Sequence, residues 1–374
     1  MHVGILAERA AGERRVAMVP EVLPRLLDAG HTVTVEHGAG EGAHLADHAY
    51  LARGAALASA EELYGSAEVL CKVQPPSLEE AGHLRRGVGL VSFLQPAVSL
   101  ELVARLAAQG ASAFSLDLLP RISRAQSMDA LSSQAMVSGY RGALLAADRL
   151  PKFFPMSMTA AGTVPPAKVL VLGAGVAGLQ AIATARRLGA VVRGHDVRPA
   201  AREEVMSLGA TFVELELESL EGEGGYARVA SEEFLGRQRE LIANEVAAAD
   251  VVITAAAVPG RTAPVLVTRE MVEQMTPGSV VIDLAAETGG NCELSRPGED
   301  VIHGDVTICG VANLPSSMPL HASFLYSRNI AAFLALLGPQ GDFAPDFSDE
   351  LVAGTCVTHD GEVCHAPTKA MISG

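Results

Sequence analysis

The chain of 374 residues is 49% hydrophobic and sets 28 lysines and arginines against 43 aspartates and glutamates, a formal charge of −15. That apolar content excludes disordered, collagenous and disulfide-stapled architectures and suffices for two ordinary cores. With no basic cluster, the acidic balance argues against nucleic acid or an anionic lipid surface as a ligand, so any nucleotide bound is small.

In chain order, the N-terminus MHVGILAERAAGERR turns charged too soon for the apolar core of a secretory signal, and a cytoplasmic chain is expected. The first 120 residues or so alternate short apolar runs (HVGIL, HTVTVE, AEVLCKV, GVGLVSFL, ASAFSLDLL) with longer helical patterns. Strands buried on both faces and joined by helical crossovers read this way, which predicts a doubly wound parallel sheet. PRISRAQSMDALSSQ follows, a polar stretch holding Arg121, Arg124, Gln126, Asp129, Ser132 and Ser133. An Ala-rich helix is expected from about Ala130 to Leu150, with Asp129 as its N-terminal cap, and Pro151, Pro155, Pro165 and Pro166 punctuate a connector.

A second α/β series begins at Lys168: VLVLG, VVRGHD, ATFVEL, DVVITAA, SVVIDLA and VTICGV, six strands in all. The longest apolar stretch, Val169 to Ala185, is interrupted by Gly173, Gly175 and Gly178 and ends in Arg186-Arg187, so it reads as strand, turn and helix start and not as a membrane span. The carboxylate-rich run from Glu214 to Glu223, leading into Gly224-Gly225-Tyr226, reads as a mobile surface loop. LHASFLYSRNIAAFLALL is expected to return as a helix to the first domain, and Asp360-Gly361 to turn a terminal hairpin. The expected fold is α/β, two doubly wound Rossmann-like domains with an interdomain cleft, divided as 1–130 plus 328–374 and 131–327. Five widely spaced cysteines, without CxxC or paired Cys/His spacing, indicate reduced thiols and no metal site.

VLVLGAGVAG is the strongest chemical signal. Gly173 permits the tight turn leaving the strand, Gly175 lets backbone approach a pyrophosphate, and Gly178 lets the helix pack on the sheet. The helix N-terminus then offers free N–H groups and a positive dipole end to the phosphates. Asp196 lies 18 residues beyond Gly178, at the end of the next strand. A carboxylate there accepts from ribose hydroxyls and repels a 2′-phosphate, which favours NAD(H) over NADP(H); Arg198 is either a partner for that phosphate or a solvated side chain. In the RISRAQSMD stretch, an amide and a hydroxyl are available to a carboxamide, with Arg121 and Asp129 fixing one another. His195 reads most simply as a strand residue.

Taken together, PRISRAQSMDALSSQ, MTAAGTVPPAKVLVLGAGVAGLQAIATA, GGYAR, ITAAAVPGRTAPVLVTREMV, SVVIDLAAETGGNC and GTCVTHDG closely resemble the NAD(H)-binding domain I of proton-translocating NAD(P) transhydrogenases. The resemblance runs from the first strand to Gly361. It implies a loop over the nicotinamide carrying Arg121, Gln126, Asp129 and Ser132, a mobile-loop tyrosine at Tyr226 and a ribose-binding Asp196. It also implies cofactor contacts at Gly173, Ala174, Gly175, Val176, Ala177, Gly178, Val197, Arg198, Ala256 and Asn313. The implied partners are a membrane-embedded proton-translocating subunit and a component carrying NADP(H). The chain itself would be a homodimer without direct membrane insertion, peripheral to the inner membrane through those partners.

Alanine dehydrogenases share both domains, and RVAMVP with Arg15, CKVQPP with Lys72 and GVANLPSS with Asn313 match them. In that family an arginine and a lysine hold the substrate carboxylate and a histidine is the acid/base. That histidine's position here reads Leu94-Gln95-Pro96-Ala97, and a glutamine cannot exchange a proton near neutral pH. A catalytically idle NAD-binding regulatory subunit is a further alternative, against which the intact Arg121, Gln126, Asp129 and Tyr226 argue.

Overall fold

The computed structural model describes residues 1–214, 232–257, 262–339 and 341–373, without the side chains of 232–238. Two compact units are present, Met1–Gln134 with Pro315–Gly374, and Ala135–Leu314. The first unit therefore regains the chain at Pro315, ahead of the expected residue 328, because the helix Pro319–Leu337 belongs to it as a whole.

The opening apolar runs form β1 (His2–Ile5), β2 (Thr32–Glu36), β3 (Ala56–Ala58), β4 (Val69–Cys71), β5 (Gly89–Ser92) and β6 (Ser112–Ser115), paired in parallel throughout. β4 and β5 are buried along their whole length, as sheets covered on both faces require. β3 is a strand that apolar runs did not announce, since its three residues are only partly buried at the sheet edge. Serines cap the crossover helices: Ser59 and Glu62, and again Ser77 and Glu80, exchange reciprocal backbone hydrogen bonds.

The connector ahead of the second unit's sheet is more ordered than its prolines suggest, for Ser157–Thr159 (β7) and Gly162–Val164 (β8) pair as a small hairpin. Seven strands then make the second sheet: β9 (Lys168–Leu172), β10 (Val191–His195), β11 (Thr211–Phe212), β12 (Val251–Thr254), β13 (Val280–Asp283), β14 (Glu299–His303) and β15 (Val306–Gly310). Their order is β11-β10-β9-β12-β13-β15-β14, parallel except for β14, which runs antiparallel to β15. The chain leaves β9 first toward β10 and β11 and then returns to build outward from β12. The switch point, where ligands of open α/β sheets bind, lies at the carboxyl ends of β9 and β12.

Back in the first unit, Cys356–His359 (β16) and Glu362–Val363 (β17) form the expected hairpin, and β16 adds antiparallel to β6. Asp360 and Gly361 both have positive φ, 48° and 88°, as a two-residue hairpin turn of this hand requires. The first sheet thus reads β17-β16-β6-β5-β4-β1-β2-β3. The helix Pro319–Leu337 is apolar enough to invite a membrane reading, but Tyr326, Ile330, Phe333, Leu334 and Leu337 are all buried in the first unit's core.

Candidate functional site

In the second unit, VLVLGAGVAG folds as β9, a turn and the helix Val176–Arg187, with Gly175 as the helix N-cap. Each glycine answers a different constraint. Gly173 has φ 94° and a Cβ there would lie 2.8 Å from the backbone of Ala255 and Ala256. A Cβ on Gly178 would lie 1.8 Å from the carbonyl oxygen of Gly173, so helix and turn are in direct backbone contact. Around Gly175 there is open space within 4 Å of where a side chain would start. An N-terminal cradle of this form fits a pyrophosphate, with helix N–H groups and the dipole facing it. Ala174 is buried and Ala177 half-buried, while Val176 is exposed at the helix start.

Asp196 follows β10 and closes on the same turn. Its Oδ2 accepts from the Ala174 N–H at 2.7 Å, and its Oδ1 from the Arg198 N–H at 2.8 Å. The Arg198 guanidinium adds bonds to both oxygens, at 3.0 and 3.2 Å, and donates to the Ala174 carbonyl at 3.0 Å. Burial alone would raise the Asp196 carboxyl, but these bonds outweigh it and hold the group below the usual aspartate range. Arg198 is thus neither a free phosphate partner nor a fully solvated side chain: it lies over the carboxylate that the sequence assigned to ribose. Val197 between them is exposed. His195 is structural, its Nδ1 bonding the Val213 carbonyl at 2.9 Å.

On the other side of the switch point, Asp283 at the end of β13 is fully buried and accepts from the Thr254 hydroxyl and the N–H groups of Ala285, Asn291 and Cys292, at 2.9 to 3.0 Å. Asn291, also fully buried, accepts from the Ala256 N–H at 2.9 Å and donates to the carbonyls of Ala256 (2.8 Å) and Pro264 (2.7 Å). Asn313 has φ 42°, and its N–H is held by Glu287 at 2.9 Å. Asp283, Glu287 and Asn291 were not singled out in the sequence, where the only signal was the density of SVVIDLAAETGGNC itself. Tyr226 lies outside the described residues.

The RISRAQSMD stretch belongs to the first unit. Ser123–Met128 is a 3-10 turn whose Ala125 and Met128 are buried. Asn329, from the long helix, holds it from behind, donating to the Ser127 carbonyl at 2.9 Å and accepting from Ser133 at 2.7 Å. Arg124 is tied to Asp349 at 2.6 and 2.8 Å. Asp129 caps the helix Ala130–Arg149 as expected, accepting from the Ser132 N–H and hydroxyl at 2.8 and 2.5 Å. The expected Arg121–Asp129 pair does not form, because Ser132 takes up both oxygens of that carboxylate and is only three residues away along the helix. Arg121 and Gln126 are exposed, and among the described residues neither side chain has a partner.

The first unit also buries charges at the carboxyl ends of β1 and β4. Arg15 is bound by Glu13 (2.6 and 2.8 Å) and Gln134 (2.9 Å), and Lys72 by Glu80 (2.7 Å), with Glu8 at 3.9 Å. Both cations that match the alanine dehydrogenase carboxylate site are therefore charge-compensated by neighbouring glutamates. Gln95, at the position of that family's acid/base, is exposed with φ 47°, and its N–H is held by Asp117 at 2.9 Å.

Glu8 gives a pH prediction. Burial lifts its carboxyl from 4.5 to about 7, against the lowering influence of Lys72 and of the Val73 and Gln74 N–H groups. Between those values the native state holds a proton that the unfolded chain has released. This contribution is therefore complete below about pH 4.5 and is lost as pH rises through about 7. Between pH 5 and 9 the parent should lose roughly 1–3 kcal/mol more than Glu8→Gln, measured by urea unfolding. Parallel curves would show that Glu8 is already ionised beside Lys72.

Comparison with known proteins gives the following. The family model described as alanine dehydrogenase/PNT, N-terminal domain, matches residues 4–138, and that for the C-terminal domain matches 142–366. A Rhodospirillum rubrum protein, named as the first portion of a divided NAD(P) transhydrogenase subunit alpha, is 47% identical over 98% of both chains. An alanine dehydrogenase of Mycolicibacterium smegmatis is 31% identical over 97% of this chain and 94% of its own. The crystal structure of a transhydrogenase from Sinorhizobium meliloti superposes with a TM-score of 0.87 at 42% identity, covering 98% of this chain and 100% of that one.

Proposed function

This chain belongs to the alanine dehydrogenase/PNT family, and from that membership we propose that it is the NAD(H)-binding component of a proton-translocating NAD(P) transhydrogenase. It would pass hydride directly between NAD(H) and an NADP(H) held on a separate component. The observation that carries the reading is the open cradle at Gly175 with Asp196 closing on the same turn. NAD(H) supplies the transferable hydride at C4 of its nicotinamide. The chain's own residues bind and orient. Backbone N–H groups at the start of the helix Val176–Arg187 receive the pyrophosphate, and Asp196 accepts from the adenosine ribose hydroxyls.

A carboxylate has about four acceptor sites, and at Asp196 Arg198 occupies most of them. The Arg198 side chain is 55% exposed, so it can swing into water and yield its bonds to the ribose. Arg121, Gln126, Asp129 and Ser132 are assigned to the nicotinamide, and Tyr226 to closure over the nucleotide. No proton is exchanged with a substrate carbonyl, so no acid/base is needed. This accords with Gln95 where an amino-acid dehydrogenase requires a histidine. The implied partners are a membrane-embedded proton-translocating subunit and the NADP(H)-binding component, with the chain a homodimer, cytoplasmic and peripheral to the inner membrane.

The test is a fluorescence titration with NADH and NADPH, followed by mixing with an NADP(H)-binding component. NADH should bind at least about tenfold more tightly, since a 2′-phosphate would face the Asp196 carboxylate, and NADH-dependent reduction of NADP⁺ should appear on mixing. Equal affinities would overturn the role of Asp196. Turnover of alanine with NAD⁺ would move the chain to the amino-acid dehydrogenases.

A further inference from the structure

We infer that Asn291 is a positioning residue for the nicotinamide half of the dinucleotide site, acting through the backbone of Ala256. The inference rests on the dinucleotide reading given above. Asn291 is fully buried and cannot itself meet a ligand. Its carboxamide nonetheless spends three hydrogen bonds on main chain: one from the Ala256 N–H, one to the Ala256 carbonyl and one to the Pro264 carbonyl. A side-chain amide that satisfies both polar groups of one residue fixes that peptide's plane as well as its position. Its own backbone is held in turn, because the Asn291 and Cys292 N–H groups both donate to the buried Asp283 carboxylate.

The place of Ala256 gives this clamp its consequence. The chain leaving β12 bonds back to β9 through Ala255 N–H to Leu172 carbonyl at 2.8 Å, and its backbone lies 2.8 Å from where a Cβ on Gly173 would be. Ala255 and Ala256 therefore form one wall of the crevice at the switch point between β9 and β12, and both remain partly exposed there. Asp196 places the adenosine ribose on the β9-β10 side. The nicotinamide ribose and ring then fall to the β12-β13 half of the sheet, along this wall. A wall free to tilt would still allow binding but would spread the ring over several orientations.

Asn291→Ala, with Asn291→Ser as a milder variant should the first fold poorly, separates positioning from general support of the fold. Each is titrated with NADH and with ADP-ribose, which has the pyrophosphate and adenosine but no nicotinamide. The expected result is an NADH affinity lowered about tenfold, as for the loss of one or two buried hydrogen bonds, with ADP-ribose affinity within about twofold of the parent. Thr254→Val serves as the control, since it removes a different bond to Asp283 and leaves the Ala256 clamp in place. It should lower the melting temperature without changing the ratio of the two affinities. Equal loss of NADH and ADP-ribose binding in the Asn291 variants, or no loss of either, would overturn the positioning role. Failure of the parent protein to bind NADH would instead overturn the dinucleotide reading on which it rests.

Discussion

Gly178→Ala is expected to abolish accumulation of folded protein, whereas Gly175→Ala, three residues earlier, should fold normally and fail to bind NADH. A methyl on Gly178 would lie 1.8 Å from the Gly173 carbonyl oxygen and 2.8 Å from its carbon, with no flexible side chain in the way to yield. Relief requires the helix to lift from β9 or the turn to open. The cost should exceed the 1–3 kcal/mol of ordinary overpacking, at roughly 3 or more. Gly175 has φ −74° and ψ −171°, which alanine adopts freely, and open space around it. Alanine there should leave stability unchanged or raise it by a few tenths of a kcal/mol. The new methyl would occupy the cradle itself, and NADH affinity should fall by about a hundredfold, roughly 2.7 kcal/mol. Melting temperature and fluorescence titration of the two variants check both halves. Undiminished binding by Gly175→Ala would show that the turn does not receive the pyrophosphate.

The second large effect is expected on rate. Gln126 lies on the 3-10 turn Ser123–Met128, exposed and without a side-chain partner among the described residues, while its neighbours Ala125 and Met128 anchor the turn. Gln126→Asn withdraws the amide by one methylene, ~1.5 Å, and keeps its hydrogen-bonding chemistry, so the fold has nothing to lose. If the amide orients the dihydronicotinamide, hydride transfer should slow by ~10²-fold, since a displacement of ~1 Å suffices for that. NADH affinity, supplied mainly at Gly175 and Asp196, should fall only modestly. Stopped-flow transfer with the NADP(H) component bound, set beside equilibrium titration, separates the two quantities. A variant that binds NADH weakly yet transfers at the parental rate when saturated would place Gln126 in binding alone.

Much of this protein could be read from the chain because the decisive interactions are local. Gly173, Gly175 and Gly178 act within one turn of each other and Asp196 ends the next strand. Asp129 caps a helix through a residue three positions on, and Asp360-Gly361 turns a hairpin between its own flanks. Backbone conformation and strand-helix-strand order determine such features before any distant contact forms, so two doubly wound α/β domains and a dinucleotide cradle are legible in composition, periodicity and spacing. The tertiary structure alone decided which groups remain available. Arg198 and Asp129 each looked free for a ligand, yet one lies bonded over Asp196 and the other is committed to Ser132. Arg15 and Lys72 looked like a carboxylate site, yet buried glutamates compensate both. Asn291 reaches Ala256 across 35 residues, and Asn329 reaches Ser127 across 202. No local pattern encodes such pairs, because a buried amide or carboxylate takes whichever donors and acceptors the packed fold brings to it, and that set exists only once the distant segments have met.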